Sequence, residues 1–96
     1  MSLSRQHLLT ASAMELAFLV RDGQVSSREL VEVHIAQIEQ VNPVLNAVVA
    51  ERYQQARMEA DSADAIRGKK AKSKLPPLHG VPCTIKECFA LEGMPN

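Results

Sequence analysis

The residues able to do chemistry cluster near the end of this chain, where Cys83, Lys86, Glu87 and Cys88 fall within six positions. A lysine can act as a proton acceptor only when its amine is neutral, and that requires an environment that lowers its pKa from about 10.4. Spacing alone gives no such environment. On the pattern of the run from Val81 to Lys86, the lysine reads as a strand-end side chain reaching water along its aliphatic stem, with Glu87 as a solvated neighbour. Cys83 and Cys88 lie five residues apart, without the C-x-x-C spacing or the histidine pair of a zinc site. They read as small apolar fillers of a reduced protein, because a disulfide between them would need a sharp bend. His34 falls on the apolar side of a helical pattern and reads as a core-edge residue.

Two further polar sets invite a functional reading and do not support one. Lys69, Lys70, Lys72 and Lys74 form a run of positive charge after Gly68, but no aromatic residue is interleaved to stack a base, so the run reads as a solvated loop. The serines at 2, 4, 12, 26, 27, 62 and 73 fall at helix caps, in loops or in the amino-terminal region. None stands in a nucleophile motif.

The elements that must position Lys86 can be read from the amino terminus onward. Ser12 to Glu15 has the capping-box spacing and opens a helix over 13–22, which Gly23 ends. Ser26 to Glu29 repeats the box, and Leu30, Val31, His34, Ile35, Ile38 and Val41 follow at helical spacing until Asn42-Pro43. The tight loop Asp22–Val25 makes these a helical hairpin over 12–42. Leu45 to Ala50, with adjacent β-branched residues, reads as a short buried strand. From Glu51 to about Arg67 strong helix formers return, with Ala56, Ala60, Ala63 and Ile66 forming a small-residue stripe suited to lying close to a sheet. A rigid Leu-Pro-Pro-Leu-His-Gly turn (75–80) then delivers the chain into a second strand, where Val81, Cys83 and Ile85 share one face and Pro82, Thr84 and Lys86 the other. The expected fold class is α/β: two capping helices, then strand, helix and strand of a mixed sheet covered by helices, mostly helical in isolation.

Composition bounds the rest. Ninety-six residues, 46% apolar and 23% charged, allow one hydrophobic core, built from aliphatic side chains because the only aromatics are Phe18, Tyr53 and Phe89. Eleven basic and eleven acidic side chains cancel, so no net field steers nucleic acid or an anionic membrane toward the chain. The apolar stretches are far shorter than the roughly 20 residues that cross a bilayer, and the start lacks the apolar segment of a secretory signal. The expectation is a cytoplasmic protein without nucleic-acid or membrane partners.

The stretch from Leu78 to Glu87, LHGVPCTIKE, followed by Phe89 and by Gly93-Met-Pro-Asn96, resembles the entry to the amidase signature domain, whose pattern is G-V-P-x-x-hydrophobic-K-D/E. The upstream order is similar too, with two helices, Asn42-Pro43, Leu45 to Val48, an alanine-rich helix and the Leu-Pro-Pro-Leu approach. The resemblance implies that 1–96 is the amino-terminal part of one amidase domain, with 45–96 beginning its α/β core. It also implies that Lys86 is the terminal base of a Ser-cisSer-Lys triad that cleaves carboxamides. Both serines and the oxyanion hole then lie beyond Asn96, and the piece alone is inactive. The implied partners are a small-molecule amide and the remainder of the domain, with a homo-oligomer possible and no metal or organic cofactor. Within the family, Lys86-Glu-Cys-Phe89 looks more like fatty acid amide hydrolases than like the amidase component of glutamyl-tRNA(Gln) amidotransferase, which is the second alternative. The first alternative, from a different class, is a stand-alone helical interaction or oligomerisation module.

Overall fold

A computed structural model of the chain describes residues 3–48 and 50–85. Four helices follow in order: α1 (Arg5–Thr10), α2 (Ala13–Arg21), α3 (Ser27–Leu45) and α4 (Tyr53–Lys69), with a single 3₁₀ turn at Lys72–Lys74.

Local chemistry explains most of these boundaries. Ser12 Oγ accepts the Glu15 N–H at 3.1 Å and opens α2. The reciprocal arm of that box is absent, because the Ser12 hydroxyl instead lies 3.3 Å from a Glu15 carboxylate oxygen. At Gly23, φ is +78°, and the Gln24 and Gly23 N–H groups return to the Leu19 and Val20 carbonyls at 2.9 and 3.1 Å. This is a Schellman ending, in which glycine accepts the left-handed conformation without a Cβ penalty. At Ser26 both arms of the capping box form.

The sequence pattern stops α3 at Asn42, but the helix continues through Pro43 to Leu45. Proline here removes one hydrogen bond near the exposed end of the helix, where the loss is tolerated more easily than in its middle. The helix ends where Asn46 takes the left-handed conformation, φ 51°. The strand expected over 45–50 does not form among the described residues. Leu45 closes α3, and the Asn42 side chain binds both backbone groups of Val48, accepting its N–H at 2.8 Å and donating to its carbonyl at 2.9 Å. Those are the groups a neighbouring strand would have used. Nor is Leu45, its first large apolar side chain, buried, since it is 66% exposed.

Two apolar clusters hold the helices. Leu8, Leu16, Val20, Val25 and Leu30 join α1, α2, the hairpin loop and the first turn of α3. Val31 and Ile35 of α3 meet Ala60 of α4, flanked by Tyr53 and Ala56. Ala56 and Ala60 of the small-residue stripe therefore lie against a helix, where a sheet was expected, while Ile66 of the same stripe is exposed. Close approach is what alanine allows in either case. Helix α1 was not expected from the pattern, yet Ser4 caps it by accepting the His7 N–H at 3.1 Å, and its Leu8 completes the first cluster. The helix expected to end at about Arg67 continues to Lys69, with Gly68 inside it one residue before the end. The following lysine run is tied back at one point, where Lys72 Nζ pairs with Asp22 at 2.8 Å.

The described part is thus helical, with no regular element over Val81 to Ile85 and no strand among the described residues. His34 is half-buried, as expected, and its Nδ1–H donates to the Leu30 carbonyl at 2.8 Å. Among the described residues, no helix is long and apolar enough to cross a membrane.

Candidate active site

Lys86, Glu87 and Cys88 lie outside the described residues. What the structure describes is the path toward them, residues 75–85, and the helices that hold it.

The path starts at the amino terminus of α3. A helix leaves four N–H donors without intrahelical partners at this end. Here all four are satisfied. Ser26 N–H donates to the Glu29 carboxylate at 3.4 Å, and Glu29 N–H to Ser26 Oγ at 3.0 Å. The two donors between them, from Ser27 and Arg28, reach the two carboxylate oxygens of Asp64 on α4 at 2.7 and 3.0 Å. Asp64 therefore caps α3 from a different helix, where a negative charge also meets the positive end of the helix dipole.

Residues 75–81 rest on this junction. Leu75 is buried, and Val81 packs on the first apolar cluster. Between them the backbone is held from three helices. Arg21 of α2 donates to the Pro76 carbonyl at 3.1 Å. His79 donates from Nε2 to the Ala63 carbonyl of α4 at 2.8 Å, which fixes its tautomer. The Ser27 hydroxyl donates to the Gly80 carbonyl at 2.8 Å. Two internal turns shape the segment, with His79 N–H on the Pro76 carbonyl and Val81 N–H on the Leu78 carbonyl, both at 3.1 Å.

Gly80 is the tightest point. Its φ is +80°, and a Cβ there would lie 2.9 Å from Val20 Cγ1 and 3.2 Å from Ser27 Cβ. Only glycine meets both demands without strain. Beyond it Pro82 is half-buried, while Cys83, Thr84 and Ile85 are exposed. Cys83 is a free thiol at the surface. The expectation that it fills a core is corrected for that residue, because Val81 is the last side chain of this path to pack on the helical cluster; Cys88 lies outside the described residues.

The flanks of α3 and α4 are joined by exposed ion pairs. Glu32 bonds Arg57 at 2.8 Å and Arg28 at 3.5 Å, and Arg28 also reaches Asp61 at 2.8 Å. The hydrogen bond from Arg57 is the chief reason the Glu32 carboxyl sits below the usual range. Arg52 lowers Glu59 in the same way, and Lys72 lowers Asp22. These pairs brace the scaffold, and none of them includes a residue of 75–81. Among the described residues no group of three His, Cys, Asp or Glu side chains is placed to hold a metal ion.

The anchored path and the residues after it fall inside a known family pattern. The profile of the amidase family matches residues 29–96. The chain belongs to the amidase family. Among its relatives, fatty-acid amide hydrolase 2-B of Danio rerio is 45% identical over 94 residues, covering 93% of this chain and 18% of the relative. An acylamidase of Rhodococcus erythropolis is 38% identical, covering 98% of this chain and 19% of the relative. A glutamyl-tRNA(Gln) amidotransferase subunit of Alkalilimnicola ehrlichii is 40% identical over 80 residues, covering 83% of this chain and 16% of the relative. No solved structure gives a significant match. The chain thus spans less than a fifth of the length of these relatives, and the amidase pattern runs through α3, α4 and the anchored approach to Lys86.

Of the residues singled out in the sequence, Lys86 remains a placement by motif. Ser27 and Asp64, which hold the approach to it, carried no signal. Their partners lie 53 and 37 positions away in the chain.

Proposed function

We propose that this chain is the amino-terminal part of an amidase domain that hydrolyses carboxamide C–N bonds, with Lys86 as the terminal base. The family match over residues 29–96, which includes the G-V-P-x-x-hydrophobic-K-E stretch from Gly80 to Glu87, carries the reading. Neutral Lys86 takes a proton, through a bridging serine, from a nucleophilic serine as the latter attacks the amide carbonyl. Backbone N–H groups stabilise the tetrahedral oxyanion, and the proton returns to the nitrogen as the C–N bond breaks. Water then releases the acyl group. Both serines are supplied by sequence after Asn96, so residues 1–96 alone have no activity. The second strand, over 81–86, belongs to a sheet completed by that later sequence.

The surface of the described helices supports membership of a larger domain. Phe18 is 60% exposed, and Met14, Met58 and Leu78 also stand at the surface, a set of large apolar side chains that further protein would cover. The names of the Danio and Rhodococcus relatives point to a hydrolase of fatty or other acyl amides. The match to the amidotransferase of Alkalilimnicola supports a second reading, in which the same lysine serves ammonia release for a tRNA-dependent transamidation.

In the intact enzyme, Lys86→Ala should lower carboxamide hydrolysis by at least about 10³-fold, in keeping with loss of the proton acceptor for a serine nucleophile. Wild-type rates in that variant would sink the assignment. Hydrolysis that depends on added partner proteins, with glutamine as the amide, would favour the amidotransferase.

A further inference from the structure

Ser27 is the one polar residue buried in the described core, at 2% exposure. A buried hydroxyl needs a partner, and alanine would suit the first turn of a helix about as well or better. The hydroxyl is not needed for capping, since Ser26, Glu29 and Asp64 already satisfy all four free donors of α3. Its single hydrogen bond goes to the Gly80 carbonyl, 2.8 Å away. That carbonyl belongs to a segment whose residues 76–78 are exposed, so the contact adds little to the apolar core. What it adds is position.

We infer that Ser27 is a positioning residue for the amidase reaction, fixing the Gly80 backbone on the first turn of α3 and so setting the origin from which residues 81–86 run to the catalytic lysine. The inference rests on the reading of Lys86 as the base. Lys86 lies six positions after Gly80, a reach of at most about 20 Å even when fully extended. A tilt of the chain at Gly80 is carried along that reach, and a displacement of about 1 Å at a reacting group can cost about 10²-fold in rate. Other contacts hold the same segment at other points. Arg21 holds Pro76, His79 reaches Ala63, and Val20 and Ser27 leave no room for a side chain at Gly80. Asp64 acts one step back, holding the turn of α3 that carries the hydroxyl.

The test compares Ser27→Ala with Ile35→Ala in the intact enzyme. Ile35 is buried between α3 and α4 and touches no part of residues 75–81 through the contacts that define its cluster, so it serves as a stability control. Carboxamide hydrolysis is read as kcat per folded molecule, with folded fraction from circular dichroism, alongside amide exchange of residues 79–85. Ser27→Ala should lower kcat about tenfold with KM within about twofold, and speed exchange in that segment. Ile35→Ala should lower the melting temperature while leaving kcat per folded molecule unchanged. Equal behaviour of the two variants would overturn the inference. If Ser27→Ala does not fold, Arg21→Ala removes the Pro76 anchor and should give a smaller fall in kcat of the same kind; an unchanged kcat there overturns it as well. Failure of the Lys86 reading looks different, because Lys86→Ala would then remain active whatever Ser27→Ala does.

Discussion

The α3–α4 pair is fastened by two different means. Along their flanks, Arg28, Glu32, Arg57 and Asp61 make ion pairs whose side chains remain substantially exposed. At the amino terminus of α3, Ser27, Asp64 and Gly80 make short hydrogen bonds in a partly buried setting, where glycine is enforced by both conformation and space. Exposed pairs exchange one set of polar contacts for water at little net gain. Buried bonds to backbone groups are costly to break, because the partner left behind loses its only hydrogen bond. The helices are braced by the first kind and the approach to Lys86 is located by the second.

Substitutions should separate the two regions, beginning with the largest effect. Leu30→Ala removes a fully buried side chain from the cluster beneath the junction and should cost about 2–5 kcal/mol by chemical denaturation. Gly80→Ala should cost about 2–4 kcal/mol, combining a left-handed φ with contacts to Val20 and Ser27 that must give way. Asp64→Ala leaves two N–H donors of α3 without partners and should cost about 1–3 kcal/mol. Arg57→Ala, which breaks the shortest of the flank ion pairs to Glu32, should have the smallest effect of the four and lose what effect it has in high salt. An Arg57→Ala variant as damaging as Asp64→Ala would erase the distinction between the regions.

Acid should act on the flanks. Glu32, Glu59 and Asp22 have carboxyl pKa values held below their ordinary values by Arg57, Arg52 and Lys72. A group with a lowered folded-state pKa contributes stability that is present above its unfolded value and lost as pH falls through the folded one. The melting temperature should therefore hold steady from neutrality to about pH 5 and decline below about pH 4.5, and Glu32→Gln should flatten that decline. A decline that begins near pH 6 would point to another group.

Local signals in the sequence located what local chemistry determines. The Ser12 and Ser26 caps, the Gly23 ending and the body of α4 follow from residue types a few positions apart. Where a distant or unexpected partner decides the outcome, the pattern misleads. Leu45 to Ala50 has the composition of a strand, but Asn42 takes the backbone groups of Val48 that a sheet would use. Helix α1 has six residues, too few to show a periodicity, and only the Ser4 cap could have announced it. Asn42-Pro43 reads as a stop, yet one missing hydrogen bond near a helix end does not halt α3. For the site, the motif through Lys86 was legible while its support was not. Ser27 looks like a second cap residue beside Ser26, and nothing near it in sequence reveals that its hydroxyl meets Gly80.

The seating of residues 75–81 can be measured directly by amide hydrogen exchange in the intact protein. If these residues are held as described, the His79 and Val81 amides, bonded to the Pro76 and Leu78 carbonyls, should be protected to a degree approaching the middle of α3, and Ser27→Ala should reduce that protection measurably. Exchange at His79 and Val81 as fast as at the exposed lysine run, in the unsubstituted protein, would contradict the account.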